Sequence, residues 1–153
     1  MRAVQDEYAP NSICFGCGPA NAEGLRIKSH WQGDELVADW RAAPHHQAFP
    51  GVLNGGIVGA LLDCHSNWCA ATTLMRRAGA KEPPVTVTAE FHVRLQRPTP
   101  AGAPLRLRAR PASVEDGRVV VEAELEAEGK VRATCRGVFI AVGEGHPAYH
   151  RWG

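Results

Sequence analysis

Asn54, Gly55, Gly56 and Asp63 are the residues of this chain whose types and spacing are best suited to chemistry. Asn is a strong helix N-cap, and two glycines behind it leave the first free N–H groups of a helix open to close approach by a ligand oxygen. Such groups suit an oxyanion. Asp63 follows about two turns on, and at roughly 100° per residue it shares one side of the helix with Gly56, Gly59, Ala60, Asn67 and Ala70. A carboxylate on an otherwise apolar half of a helix costs stability unless it is hydrogen-bonded or wet, and its small neighbours allow another backbone to come near. A cleft flanked by the helix, or one at a subunit interface, satisfies both conditions. The same spacing also fits a plainer reading, in which the glycines ease a tight loop and Asp63 caps a neighbouring strand.

The element that must position these groups is one long helix running from the Asn54-Gly55-Gly56 start to Arg76 and Arg77. Ile57, Leu61, Cys64, Trp68, Ala71 and Met75 recur at helical spacing and form its packing stripe. The two arginines suit the negative end of the helix dipole, Gly79 follows as a C-terminal cap, and Pro83 and Pro84 forbid continuation. His65 is turned roughly 200° from Asp63, so it is expected to pack rather than to form a dyad with it, and Trp68 is expected in the core. Ahead of the helix lies a loop with His45, His46 and Gln47; either histidine would be placed to hydrogen-bond a substrate or to be solvated.

Everything else is turn-rich or strand-like. Residues before Leu25 read as a lead-in of turns, with Pro10, Cys14, Gly16, Cys17, Gly18, Pro19 and Gly24. Leu25, Ile27 and Trp31 alternate with polar residues up to a turn at Gln32–Glu35, and Leu36, Ala38 and Trp40 alternate beyond it, which predicts a hairpin. Unbroken alternation from Val85 to Leu95 predicts a strand with Thr86, Thr88 and Glu90 on its polar face. Further strands follow at Leu105–Arg110, Val119–Glu126 and Val131–Val142. Three-residue loops at Glu115–Gly117 and Glu128–Lys130 set Arg106, Arg108 and Arg110 beside Glu126, Glu124 and Glu122, and set Arg132 and Arg136 opposite Glu126 and Glu122. The arginine row is then a solvated charge ladder rather than an anion site. Two strands, one helix and four strands, with no repeated strand-helix alternation, make an α+β fold with a mainly antiparallel sheet.

Composition narrows the function. The 153 residues are 44% hydrophobic and 22% charged, the balance of an ordinary single globular domain, and a formal net charge of +1 gives no global field to recruit nucleic acid or an anionic membrane. The longest apolar stretch, Ile57 to Leu74, is interrupted by Asp63, His65, Ser66 and Asn67, which excludes an ordinary membrane span. The first residues show no secretory pattern, so a cytoplasmic location is expected. The five Cys are odd in number and aperiodic, so they are expected as reduced thiols. Cys14 and Cys17 form a lone C-x-x-C; a structural zinc would need two more ligands, no second pair exists, and no metal is expected.

The segments CFGCGPANAEGLRIK, HHQAFPGVLNGGIVGALLDCHSNW and VTAEFHVRLQRPTPAG together resemble the hotdog-fold thioesterases of the PaaI type, within the 4-hydroxybenzoyl-CoA thioesterase superfamily. The resemblance runs from about Cys14 to Val142. It implies a hotdog fold, with a long central α-helix wrapped by a curved antiparallel β-sheet, and a division into a lead-in over 1–24, one domain over 25–142 and a tail over 143–153. It implies hydrolysis of an acyl-CoA thioester in a homodimer or dimer of dimers, without cofactor. Gly55 matches the glycine whose N–H polarises the thioester carbonyl, and Asp63 the carboxylate that attacks or activates water, the two facing each other across the dimer interface. Thr88 matches a Ser or Thr that orients water, and Asn54 stands where many relatives carry His. Gly56, Gln47, His46 and Asn67 are the residues expected against substrate, and Arg94 and Arg97 are candidates for the CoA phosphates. The competing reading is a non-catalytic module that binds acyl-CoA; a hotdog hydratase is disfavoured because no His accompanies the carboxylate.

Overall fold

The computed structural model describes residues 1–153. Its strands are β1 (Ser29–Gln32), β2 (Glu35–Trp40), the short pair β3 (Gln47–Phe49) and β4 (Val52–Leu53), then β5 (Thr86–Leu95), β6 (Leu105–Glu115), β7 (Arg118–Ala127) and β8 (Lys130–Ala141). Two helices accompany them, α1 (Val4–Tyr8) and the 24-residue α2 (Gly55–Ala78). Six strands form one antiparallel sheet in the order β1-β2-β6-β7-β8-β5, and α2 packs across β5 to β8. This is the hotdog arrangement.

The helix forms where its caps dictate. Asn54 Oδ1 accepts from the Ile57 N–H at 3.2 Å, and Gly79 closes the last turn at φ 64°, a left-handed conformation that glycine adopts without penalty. Leu61, Leu62 and Trp68 of the helix, with Leu36, Leu107, Leu125 and Phe139 of the sheet, are all at most 1% exposed, and each such side chain contributes about 1.5–3 kcal/mol through burial. His65 is wholly buried and neutral: Ser29 Oγ lies 2.8 Å from its Nδ1, the Leu36 carbonyl 2.8 Å from its Nε2, and Gln5 closes the network by donating to Ser29 Oγ. Burial lowers its pKa to about 4, outweighing the Leu36 carbonyl and the field of Glu35, which raise it.

Several details depart from the sequence reading. Leu25 and Ile27 are buried but not in a strand, because Arg26 takes φ 53° and the flanking N–H groups bond to Phe15 and Gly16. The lead-in contains α1, and the segment expected as plain loop before α2 contains the β3–β4 pair. The expected pairs Arg106–Glu126, Arg108–Glu124 and Arg110–Glu122 all form, yet the loop is one residue tighter than expected. Asp116 and Gly117 alone make the turn, both at positive φ, and a bulge between Pro111 and Ser113 restores the register. The same device operates at Glu128 and Gly129: Arg136 does face Glu122, but a bulge leaves Val131 rather than Arg132 opposite Glu126. Arg132 instead donates to the Ala127 and Pro98 carbonyls. Ion pairs run Arg106–Asp39, Arg108 to both Glu35 and Glu126, and Arg136–Glu122, so the row is neutralised as a ladder.

Candidate active site

Helix α2 runs antiparallel to β5 and meets it at successive turns. A Cβ placed on Gly55 would stand 3.0 Å from Leu95, one on Gly59 would touch Phe91 at 4.0 Å, Asp63 meets Thr88, and Asn67 meets Thr86. The small residues on this side of the helix are what let the strand approach. Thr88 does not lie on an outward polar face with Glu90. An extra residue, Ala89, bulges between Thr88 (opposite Phe139) and Glu90 (opposite Val138), so Thr86 and Thr88 face the helix before the bulge and Phe91 faces it afterwards.

Thr88 Oγ1 donates to Asp63 Oδ1 at 2.7 Å, which leaves the second carboxylate oxygen without a protein partner. Burial raises the pKa of Asp63, while the bond from Thr88 lowers it and opposes that effect. The charge of Cys14 raises it further, and Arg151, in the C-terminal tail, adds a weaker opposing field, a contribution that sequence patterning gave no means to find. Its neighbour Trp152 is 5% exposed and stacks on Trp68 at 4.3 Å, which fixes the tail beside the helix.

At the helix start, the Gly55 and Gly56 N–H groups have no acceptor within the chain, as the first turn of a helix requires. A Cβ on Gly56 would stand 2.9 Å from Asn54 Oδ1, so glycine there protects the cap. Gly55 opens onto a groove of about 340 Å³ lined by Phe49, Leu53, Val58, Leu95 and Arg97. Gln47 bonds to the Pro44 carbonyl and the Gly51 N–H, which shapes the loop beside that groove. His46 accepts from the Ala43 N–H, its carbonyl accepts from Asn54, and its ring lies 5.3 Å from Trp40. Partial burial lowers its pKa. Asn67 is 4% exposed, with its side-chain oxygen taken by Thr86 at 2.6 Å. The fold therefore brings Asp63 and Thr88 together and places Gly55, Gly56 and Asn54 at one helix end, while Gln47, His46 and Asn67 are engaged in local bonds. Arg97 shares the Gly55 groove; Arg94 points to the opposite face of the sheet, among the paired charges.

A family model, the thioesterase superfamily, matches residues 50–134, the span that holds α2, its cap, and β5 to the start of β8. The chain belongs to that superfamily. A thioesterase superfamily protein from Shewanella loihica PV-4 is 30% identical, with a TM-score of 0.67 over 82% of this chain and 98% of that one. A phenylacetic acid degradation-related protein from Ralstonia eutropha JMP134 is 25% identical, with a TM-score of 0.66 over 82% of this chain and 92% of that one. The PaaI protein from the phenylacetic acid degradation operon of E. coli shares the fold at 17% identity, with a TM-score of 0.66 over 78% of this chain and 81% of that one. No curated protein matches by sequence. Membership of the thioesterase superfamily makes this chain an enzyme that hydrolyses thioesters, and none of its helices is long and apolar enough to cross a membrane.

Two features escaped the sequence reading. Arg151 is one, and the other is Cys64, which the fold carries to Cys14 and Cys17 across fifty positions of sequence. No local spacing signals such an approach.

Proposed function

We propose that the protein hydrolyses an acyl-CoA thioester, with Asp63 as the group that acts on the acyl carbon and the Gly55 N–H as the donor that stabilises the oxyanion. The carrying observation is the half-buried Asp63 carboxylate held through one oxygen by Thr88, on a helix whose first N–H groups are free. Thioester cleavage builds negative charge on the carbonyl oxygen, and one fixed N–H there is worth roughly 10²-fold to 10³-fold in rate. The free Asp63 oxygen either takes the proton of an attacking water or attacks directly. In both routes a new C–O bond forms, the C–S bond breaks, and CoA leaves as a thiolate that regains a proton; after direct attack, water then cleaves the resulting mixed anhydride, releasing the acid and restoring Asp63.

Within one chain the two groups are too far apart to share a carbonyl. Gly55 and Asp63 lie eight positions apart on one helix, about 12 Å of rise. A complete site therefore takes Gly55 from one protomer and Asp63 from another. The free edge of β5 supports such a homodimer, since β5 is hydrogen-bonded only to β8 and carries Phe91 and Leu95 at 42% and 57% exposure. Pairing of two β5 edges about a two-fold axis would set the two α2 helices antiparallel and bring each helix start toward the partner's carboxylate. The groove at Gly55 would then take the acyl-pantetheine arm, with Arg97 near the phosphates and Gln47 and His46 shaping its wall.

The test is thiol release from aryl-, short- and medium-chain acyl-CoAs, corrected for the protein's own cysteines. Asp63→Asn is expected to lower kcat by roughly 10²-fold to 10⁴-fold. Gly55→Val, whose branched side chain would crowd the approach to the residue-55 N–H beside Leu95, is expected to be similarly poor. Mixing the two variants regenerates one intact site per heterodimer and should restore activity that neither has alone. Failure of the mixture to recover activity refutes the shared site. Silence of the wild type across the panel, with acyl-CoAs still raising its melting temperature, would make it a binding module.

A further inference from the structure

Three thiols that the proposed hydrolysis does not use converge between the N-terminal turn and the middle of α2. The Sγ atoms of Cys14, Cys17 and Cys64 all lie within 4.8 Å of one another, Cys14 and Cys64 at 3.7 Å, and all three are unpaired. A tetrahedral zinc with sulfur at about 2.3 Å sets its sulfurs about 3.8 Å apart. The Cys14–Cys64 pair already stands at that separation.

The surrounding backbone is built to this cluster. A Cβ on Gly16 would sit 2.3 Å from Cys64 Sγ, so only glycine lets the C-x-x-C turn close on the helix. Gly18 comes equally close to the backbone, its Cβ position 2.4 Å from both the Cys14 nitrogen and the Ser12 oxygen, and its N–H closes the turn on the Cys14 carbonyl at 2.8 Å. The Trp68 indole N–H is buried, makes no hydrogen bond, and lies against Cys17, which is itself 2% exposed. Thiolates this close repel one another unless a cation sits among them, and soft sulfur ligands select zinc over magnesium or calcium.

We propose that Cys14, Cys17 and Cys64 form a site for one zinc ion that clamps the N-terminal turn to α2 next to Asp63. The three sulfurs supply three of the four ligands, and water on the half-exposed side of Cys14 supplies the fourth. Because the ligands come from opposite ends of the first half of the chain, binding stabilises the folded state over the unfolded one.

The experiment takes the full-length protein, reduced and freed of metal by a chelator, and titrates it with Co²⁺ and then Zn²⁺. The expected result is a thiolate-to-cobalt charge-transfer band with tetrahedral d–d bands, saturating at one equivalent per chain and abolished by zinc. The bands should be lost in Cys17→Ser and Cys64→Ser and kept in Cys69→Ala, whose sulfur lies outside the cluster. If either serine variant fails to fold, the wild type still decides the matter: zinc should slow alkylation of the accessible Cys14 and Cys64 relative to the metal-free protein and leave Cys69 and Cys135 unchanged, identified by peptide mass. Absence of the charge-transfer band in the wild type, its persistence in Cys64→Ser, or a Cys14–Cys64 disulfide in freshly isolated protein each overturns the proposal. None of these readouts depends on catalysis.

Discussion

Replacing Thr88 by Val removes the only protein donor to Asp63 while keeping the β-branched shape that suits a strand. Hydrogen bonds to a charged group contribute about 1.5–3 kcal/mol, and each 1.36 kcal/mol is one pKa unit. Asp63 is partly open to water, which can replace some of what is lost, so the expected rise is about one unit rather than two. The direction is fixed. Burial already raises this pKa and Thr88 opposes burial, so removing Thr88 moves the pKa further up. If the carboxylate is the active form, the acidic limb of kcat/KM against pH must move up by about one unit. At one unit below the wild-type midpoint the variant is then about tenfold slower, while the alkaline plateau is unaffected by ionisation. Thr88→Ser keeps the hydroxyl and should keep the wild-type midpoint. The assay is initial-rate thiol release from one acyl-CoA at constant ionic strength. An unmoved limb in Thr88→Val, or one displaced to lower pH, would show that Asp63 is not the titrating group or that this bond does not hold it.

Other outcomes follow from the same geometry. Phe91→Asp with Leu95→Asp places charges on the exposed edge of β5; sedimentation should show loss of the dimer, and activity should fall with it, whereas an active monomer would refute the two-protomer site. His65, pushed down to about 4 from an ordinary 6.5, favours the folded state in its neutral form. That contribution is complete above about pH 6.5 and is lost as pH falls toward 4, about 3 kcal/mol in all, so urea midpoints should decline across this window in the wild type and decline less in His65→Gln.

The long helix was legible because its signals are local. An Asn cap, a glycine stop, basic residues in the last turn and a periodic stripe all act within a few residues of each other. Strand pairing was legible for a different reason: charges facing each other across a hairpin admit few registers, and Arg106, Arg108 and Arg110 stand opposite Glu126, Glu124 and Glu122 in the ladder as expected, although their ion pairs run to Asp39, Glu35 and Glu126. What escaped was the way register is kept. Tight two-residue turns combined with bulges give the same pairing as longer loops, and alternation of residue types cannot tell them apart. The buried network of Gln5, Ser29 and His65 escaped because its members are distant in sequence and individually polar, and the sulfur cluster escaped for the same reason.

The Ala89 bulge shows how much one such irregularity governs here. In an unbroken strand, Thr88 and Phe91 would fall on opposite faces, so contact of Thr88 with Asp63 would turn Phe91 away from the helix, and contact of Phe91 with Gly59 would turn Thr88 away from Asp63. One extra residue removes the conflict. Thr86 and Thr88 face the polar half of α2, where Asp63 and Asn67 need donors, and Phe91 faces the glycine half, where only small residues leave room for a ring. The cost is a break in the ladder to β8 at the edge of the sheet, where few neighbours are disturbed. The same step that orients Asp63 therefore also sets the apolar face of the edge on which the proposed dimer depends. Carboxylate orientation and the proposed subunit pairing are coupled through a single backbone feature.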